Sequence, residues 1–452
     1  MTQSTLLTIR FGFGPAGEQP RDGDAILESL RGADRMRAAF PTVTTPEALE
    51  LVRTYGETGK AMRQDKAGAK AAHEAVVEQI RALQRRMPRA LFARIMDSDT
   101  PLRERLCLFW LDHFSLRHKG LGGLPLSADF IDGAIRPHMT GRFGDMLRAT
   151  VLHPQMMLFL DQVNSIGPRS RVGLRRGLGL NENLAREVLE LHTIGVDGSY
   201  TQQDVRQFAE LLTGATFSAV EGPRFVPGRA EPGSETILGQ TYGRPKRARL
   251  EDIHAFLDDL AVHPETARHI ARKLAVHFVS DDPAPDLVAA IAGAWRQSDG
   301  DLMAAYAAMI DHPAARDATL GKARQPLDFI GAAMRTLGVR GDAVMAMKGQ
   351  LFRPATLTAL DVMGQPFMRP GGPDGWPEEA EAWITPLGLS SRIRWAMTMP
   401  ARLRPQLPDP RDFVQVALGE TASARLMWSV GAADSVVQGV GLVLASPEFN
   451  RR

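Results

Sequence analysis

Along most of this chain apolar residues recur three and four positions apart, in runs separated by short polar connections carrying Pro, Gly, Asp or Ser. That spacing gathers apolar side chains on one face of a helix, so the pattern predicts successive amphipathic helices. Residues 47–92 are charged and alanine-rich, as in YGETGKAMRQDKAGAKAAHEAVVEQIRALQRR, which suits long, partly exposed helices. Next, DSDTPLRERLCLFWLDHFSL offers N-caps at residues 97–100 and Pro101 for the first turn, predicting a helix from Leu102 to Phe114. His-Pro heads three more helical patterns, LHPQMMLFLD, VHPETARHIARKL and DHPAARD. Proline at the first helical position pushes the preceding residue towards extended geometry, so His153, His263 and His312 are expected near N-caps rather than in catalysis.

Other stretches interrupt the helical period. SIGPRSRVGLRRGLGL, residues 165–180, reads as a mobile basic loop. Residues 217–250 place the β-prone pieces RFVP and ETILGQTY around Pro-Gly turns, predicting a small hairpin or ordered flap. GQPFMRPGGPDGWPEEAEAWITP, residues 364–386, is loop-like with embedded tryptophans. The expected fold is therefore mainly α, a large multi-helix, bundle-like domain with a small β-hairpin or flap insertion. Its expected organisation is an N-terminal helical region (1–100), a central helical core (101–216), the flap (217–250) and a C-terminal helical region packed on the core (251–452).

Helical wheels single out several ionisable residues. In NENLAREVLELHTIGVDGSYTQQDV, at about 100° per residue, His192 falls inside the apolar arc of Leu184, Ala185, Val188, Leu189 and Leu191. Glu187 lies on the rim, about 140° from His192, so the two do not readily converge on one metal ion. On the preceding predicted helix His113 shares the face of Leu106 and Phe109, whereas Asp112 points elsewhere. A buried imidazole must hydrogen-bond or titrate, since an unmet polar group costs about 1–3 kcal/mol. His192 and His113 are thus acid–base candidates, with Glu187 as a third; the alternatives are satisfied core histidines and a solvated glutamate paired with Arg186. In ETARHIARKLAVHFVSDD, His269, Lys273 and His277 follow at i, i+4 and i+8 and form a basic stripe. Such a stripe suits a small anionic ligand, namely a phosphate, sulfate or carboxylate, and otherwise is a solvated face.

Composition removes several classes. Lys and Arg number 54 against 52 Asp and Glu, a net charge of +2, without the basic excess of a nucleic-acid binder. A lone cysteine, Cys107, leaves no intrachain disulfide. The chain has no run of about 18 apolar residues to span a membrane. The opening MTQSTLLTIRFGFGP lacks the charge and apolar core of a signal peptide, so a cytoplasmic location is expected. GxGxxG, Walker, HExxH, GxSxG and EF-hand patterns are missing, so no cofactor is named.

The segments RFGFGP, LFWLDHF, NENLAREVLELHTIGVDGSYTQQDV with LLTG, ARHIARKLAVHFVSDDP, GWPEEAEAWITP and LASPEFNRR together resemble the bacterial family catalogued as domain of unknown function 1800. The resemblance covers nearly the whole chain and implies a large, mainly helical protein without implying an activity. Genes of that family commonly neighbour those of family 1501, similar to the sulfatase and alkaline phosphatase group and often bearing twin-arginine export signals. A complex with such a partner, and export alongside it, are implied. This chain departs in two places: Leu111 stands where relatives often have a histidine, and Ala230-Glu231 where they tend to have His-Asp or His-Glu. Metal binding resting on those extra histidines is not carried over. Three readings follow: a companion of a hydrolase-like partner, an enzyme acting on an anionic substrate, and a metal or haem protein ligated through His113 and His192.

Overall fold

The computed structural model describes residues 1–17, 20–117, 119–177, 179–244 and 248–452. The fold is mainly α with two small antiparallel hairpins, as the periodicity requires. Several helices begin at a side-chain cap, although Ala69–Asp97 and Pro101–His113 have none, the expected cap at Thr100 included. The Thr45–Arg63 helix opens with a reciprocal capping box between Thr44 and Glu47 and packs against Ala69–Asp97. The expected Leu102–Phe114 helix runs from Pro101 to His113. All three His-Pro pairs start helices as expected, each histidine side chain accepting a backbone N–H two residues ahead.

Two features differ from the sequence expectation. The flap is two hairpins: Ala215–Ser218 pairs with Gly222–Phe225, and Gly233–Ile237 with Gln240–Arg244. The second turns over Leu238 and Gly239, both at positive φ, as a two-residue primed turn needs, and Asp204 Oδ1 accepts the Leu238 N–H at 2.8 Å. Residues 245–247 of the expected flap lie outside the described residues. The second difference is the stretch expected to be a mobile loop, which contains the Arg171–Arg176 helix and is tied to the flap. Gly167 N donates to Arg229 O at 2.9 Å, Val172 N to Gly228 O at 3.1 Å, and Arg169 pairs with the buried Glu231. Those backbone donors find acceptors only across the chain, which local composition does not register. Leu178 of this stretch is also outside the described residues.

Three apolar clusters hold the helices together. The largest runs from Leu7 to Ala315 and contains Trp110, Phe143, Trp295 and the central motif. A second joins Phe13 and the Phe92–Met96 stretch to C-terminal residues as far as Phe449. A third packs Val43, Val76 and Ile80 against Leu124 and Leu126. Among the described residues no helix is long and apolar enough to cross a membrane.

Candidate functional site

The central motif is not one continuous α-helix. After Asn183–Glu187 the backbone widens into a π-turn, Val188–His192, and the helix stops at Thr193. Such turns recur at functional sites. The last carbonyls of a helix have no partner within it. Here two imidazoles from other helices supply donors: His113 Nε2 reaches His192 O at 3.1 Å, and His269 Nε2 reaches Leu191 O at 3.3 Å. A carbonyl can only accept, so both Nε2 atoms carry the proton and both Nδ1 atoms are bare in the neutral rings. The chain then turns across His269 at Gly195, whose φ is +99° and where a Cβ would sit 2.9 Å from the ring.

His113 and His192 are thus brought together, with ring centroids 6.0 Å apart. Burial, reinforced by Lys273, holds the His113 imidazole far below its ordinary value. The same causes take His192 down to about 3. Both rings are neutral, and Nδ1 of each has no hydrogen-bond partner among the described residues. Their surroundings nonetheless differ. His113 borders an open cleft, whereas His192 sits behind it against Phe114, at 5.2 Å between ring centroids. Glu187 stays half-buried outside the cleft, its carboxyl pushed up by burial and then by Glu190. Among the described residues no three His, Cys, Asp or Glu side chains are placed to hold a metal ion.

The cleft, about 430 Å³, is bounded by the end of Pro101–His113, the 194–198 turn, one face of Pro264–Phe278 and the loop around Trp376. Asp112, expected to point elsewhere, is one of its walls. Both its carboxylate oxygens accept the Trp376 N–H, at 3.0 and 3.2 Å. The loop can approach this closely because residue 375 is glycine: φ is +89°, and a Cβ would lie 2.8 Å from Asp112 O. Burial, then the nearby Glu378, pushes the Asp112 carboxyl up to about 7, against the pull of Lys273.

The basic stripe divides. His269 and Lys273 face the cleft, while His277 turns to Glu378, with Nδ1 2.5 Å from Oε1. Burial would raise the Glu378 carboxyl, but His277 and Lys322 outweigh it and hold it at about 2. His277 is therefore engaged by a carboxylate and not open to an anion. Burial and Lys273 bring His269 down to about 4. The Lys273 ammonium is itself lowered by burial, although Asp112, Glu378 and Asp374 all favour its charge. It makes no hydrogen bond and no ion pair with any described residue. A carboxyl raised towards neutrality near a half-buried ammonium without a hydrogen bond or ion pair among the described residues is the kind of perturbed constellation found at functional sites. Sequence reasoning missed Asp112, Trp376 and Glu378, although the aspartate lies beside His113 in LFWLDHF and the loop in the tryptophan-bearing GWPEEAEAWITP.

The Asp112 carboxyl has a consequence for stability. Its folded pKa lies above its unfolded one, so between about pH 4 and pH 7 the folded state binds more protons and this group makes the fold less stable as pH rises. His113, His192 and His269, held neutral when folded, act in the opposite sense over the same window, so in thermal melts Asp112→Asn is expected to make Tm rise more steeply with pH than in the native protein. An unchanged slope in the variant would place the titration elsewhere.

Fold and cleft together define a mainly helical protein with an open cleft built where two helices, the 194–198 turn and a glycine-bearing loop meet. The chain belongs to the family described as "Protein of unknown function (DUF1800)", which matches residues 6–451. No curated protein and no solved structure matches it.

Proposed function

We propose that the cleft binds a small anionic molecule and that Asp112 exchanges a proton with it, making the protein an acid–base enzyme for an anionic substrate. The observation that carries this is Lys273, a half-buried ammonium lining the cleft without any hydrogen bond or ion pair among the described residues. A charge drawn partly out of water without a close partner is costly, and a ligand oxyanion would supply the partner. Asp112 in its protonated form donates a second hydrogen bond to the same anion, and His113 Nδ1 is a bare acceptor for a ligand O–H or N–H. The acid–base role thereby moves from the His113–His192 pair to Asp112, which alone among these groups has a pKa near neutrality. Calorimetric titration with sulfate, phosphate and acetate tests the binding. At least one should bind saturably, with affinity falling as pH rises through 7 and Asp112 loses its proton. Absence of saturable binding by all three across pH 5–8 would refute it.

A second reading, a companion of the sulfatase- or alkaline-phosphatase-like family 1501 protein that the resemblance implies, has its own support. Large apolar side chains stand exposed on three helices that pack around Val436–Ala445: Leu387 and Ile393 on Pro386–Thr398, Val416 on Pro410–Leu418, and Met427 and Trp428 on Ala424–Gly431. Trp428 is 74% exposed, a large apolar loss for a face with no partner. Export with a twin-arginine partner follows from this reading. Co-purification with the neighbouring gene product should be lost in Trp428→Ser; a chain that stays monomeric beside that product would contradict it.

A further inference from the structure

Behind the Asp112–Trp376 wall lies a second, smaller cavity of about 80 Å³. Leu91, Leu108, Leu111, Leu327, Phe367 and Met368 line it together with Arg105, Gln325, Asp328 and Arg452. Three guanidiniums converge on the Asp328 carboxylate. Arg105 Nη1 and Arg324 Nη1 contact Asp328 at 3.1 and 3.0 Å, and Arg452 Nε approaches it at 3.3 Å. A fourth, Arg392, is fully buried and hydrogen-bonds Arg324 O and Asn450. Asp328 is the one side-chain carboxylate within ion-pair distance of any of the four among the described residues. Such an excess of enclosed positive charge is costly unless an anion joins it.

Hydrogen bonding identifies where that anion fits. Arg105 is occupied by Gly12 O, Asp328 and His277, and Arg324 by Phe449 O and Asp328. The Arg452 guanidinium, 1% exposed and lining the cavity, makes no side-chain hydrogen bond with any described residue and has only the Asp328 approach. Beside it the Gln325 amide is fixed in orientation, because Gln365 Nε2 donates to its Oε1 at 2.9 Å; its Nε2 is left without an acceptor. Unused donors and apolar walls lining one cavity match an amphipathic acid. The volume admits a chain of about two to four carbons and excludes a long acyl chain.

We propose that this cavity binds a short-chain monocarboxylate, its carboxylate received by Arg452 and Gln325 and its alkyl end by the leucine and Met368 wall. The site is separate from the Lys273 cleft and does not depend on the function assigned to it. The test is calorimetric titration of the full chain with butyrate, alongside butanol and chloride. Butyrate binds saturably, at least tenfold more tightly than either control. Arg452→Gln weakens butyrate at least tenfold. Leu111→Trp, which fills the cavity from a half-buried position outside the Lys273 cleft, abolishes butyrate binding with Tm unchanged. Lys273→Met retains it, which separates this site from the cleft. Equal binding of butanol or chloride, undiminished binding in Leu111→Trp, or loss in Lys273→Met would each overturn the proposal.

Discussion

Replacing Lys273 by methionine should stabilise the protein and at the same time take away its hold on sulfate or phosphate. The ammonium is half-buried, lowered by burial, and has no hydrogen bond or ion pair with any described residue. Its removal relieves a charge without a close partner, while methionine keeps an unbranched, flexible side chain in a cleft that Val276 and Phe109 also line. Stability should rise by up to about 1 kcal/mol, the low end of the range found when buried ionic groups give way to apolar ones, because the ammonium keeps some contact with water. Binding should fall about tenfold to a hundredfold, the worth of a hydrogen bond to a charged group. Urea denaturation and calorimetry on the same two proteins measure both effects. A less stable variant with unaltered binding would make Lys273 a structural residue. Stability gained where function is lost is the usual signature of a strained site.

The largest loss of stability is expected far from the cleft, at Arg136→Met. The guanidinium is 1% exposed and grips two carboxylates in bidentate fashion, Glu104 at 2.8 and 2.9 Å and Asp34 at 2.8 Å through both contacts. The π-turn Phe130–Ile135 lies just before it, and within that turn Asp132 is clasped by Arg94 through two 2.7 Å bonds. Methionine would leave Glu104 buried with no other hydrogen-bond partner among the described residues, and breaking a buried pair in this way costs about 3–5 kcal/mol. Adding Glu104→Met should recover much of the loss, because the stranded carboxylate is then gone. Chemical denaturation of the single and double variants reads this directly; strictly additive effects would show that the pair is not coupled.

Where contacts are local, the sequence was readable. The three His-Pro starts and the inward aim of His113 and His192 follow from spacing within one or two turns, whereas the helix at Pro101 starts at its proline without the side-chain cap expected at residues 97–100. The site itself depends on contacts made across the chain. Asp112 is enclosed because Trp376 reaches it from 264 residues away, and His277 is withdrawn from the stripe because Glu378 meets it from 101 residues away. A wheel for one helix cannot display a wall that another segment provides. The wheel also assumed an unbroken 3.6-residue period through Glu187 and His192, whereas the π-turn widens the helix between them. Leucine-like positions for imidazoles acquire a reason only once the Leu191 and His192 carbonyls are seen to need donors.

Crystals soaked in selenate and measured at the selenium absorption edge give the most direct test of the central claim. An anomalous peak within hydrogen-bond distance of Lys273 Nζ, on the side facing Asp112, is the predicted result. Peaks confined to surface arginines, with the cleft holding only water at Lys273, would contradict it.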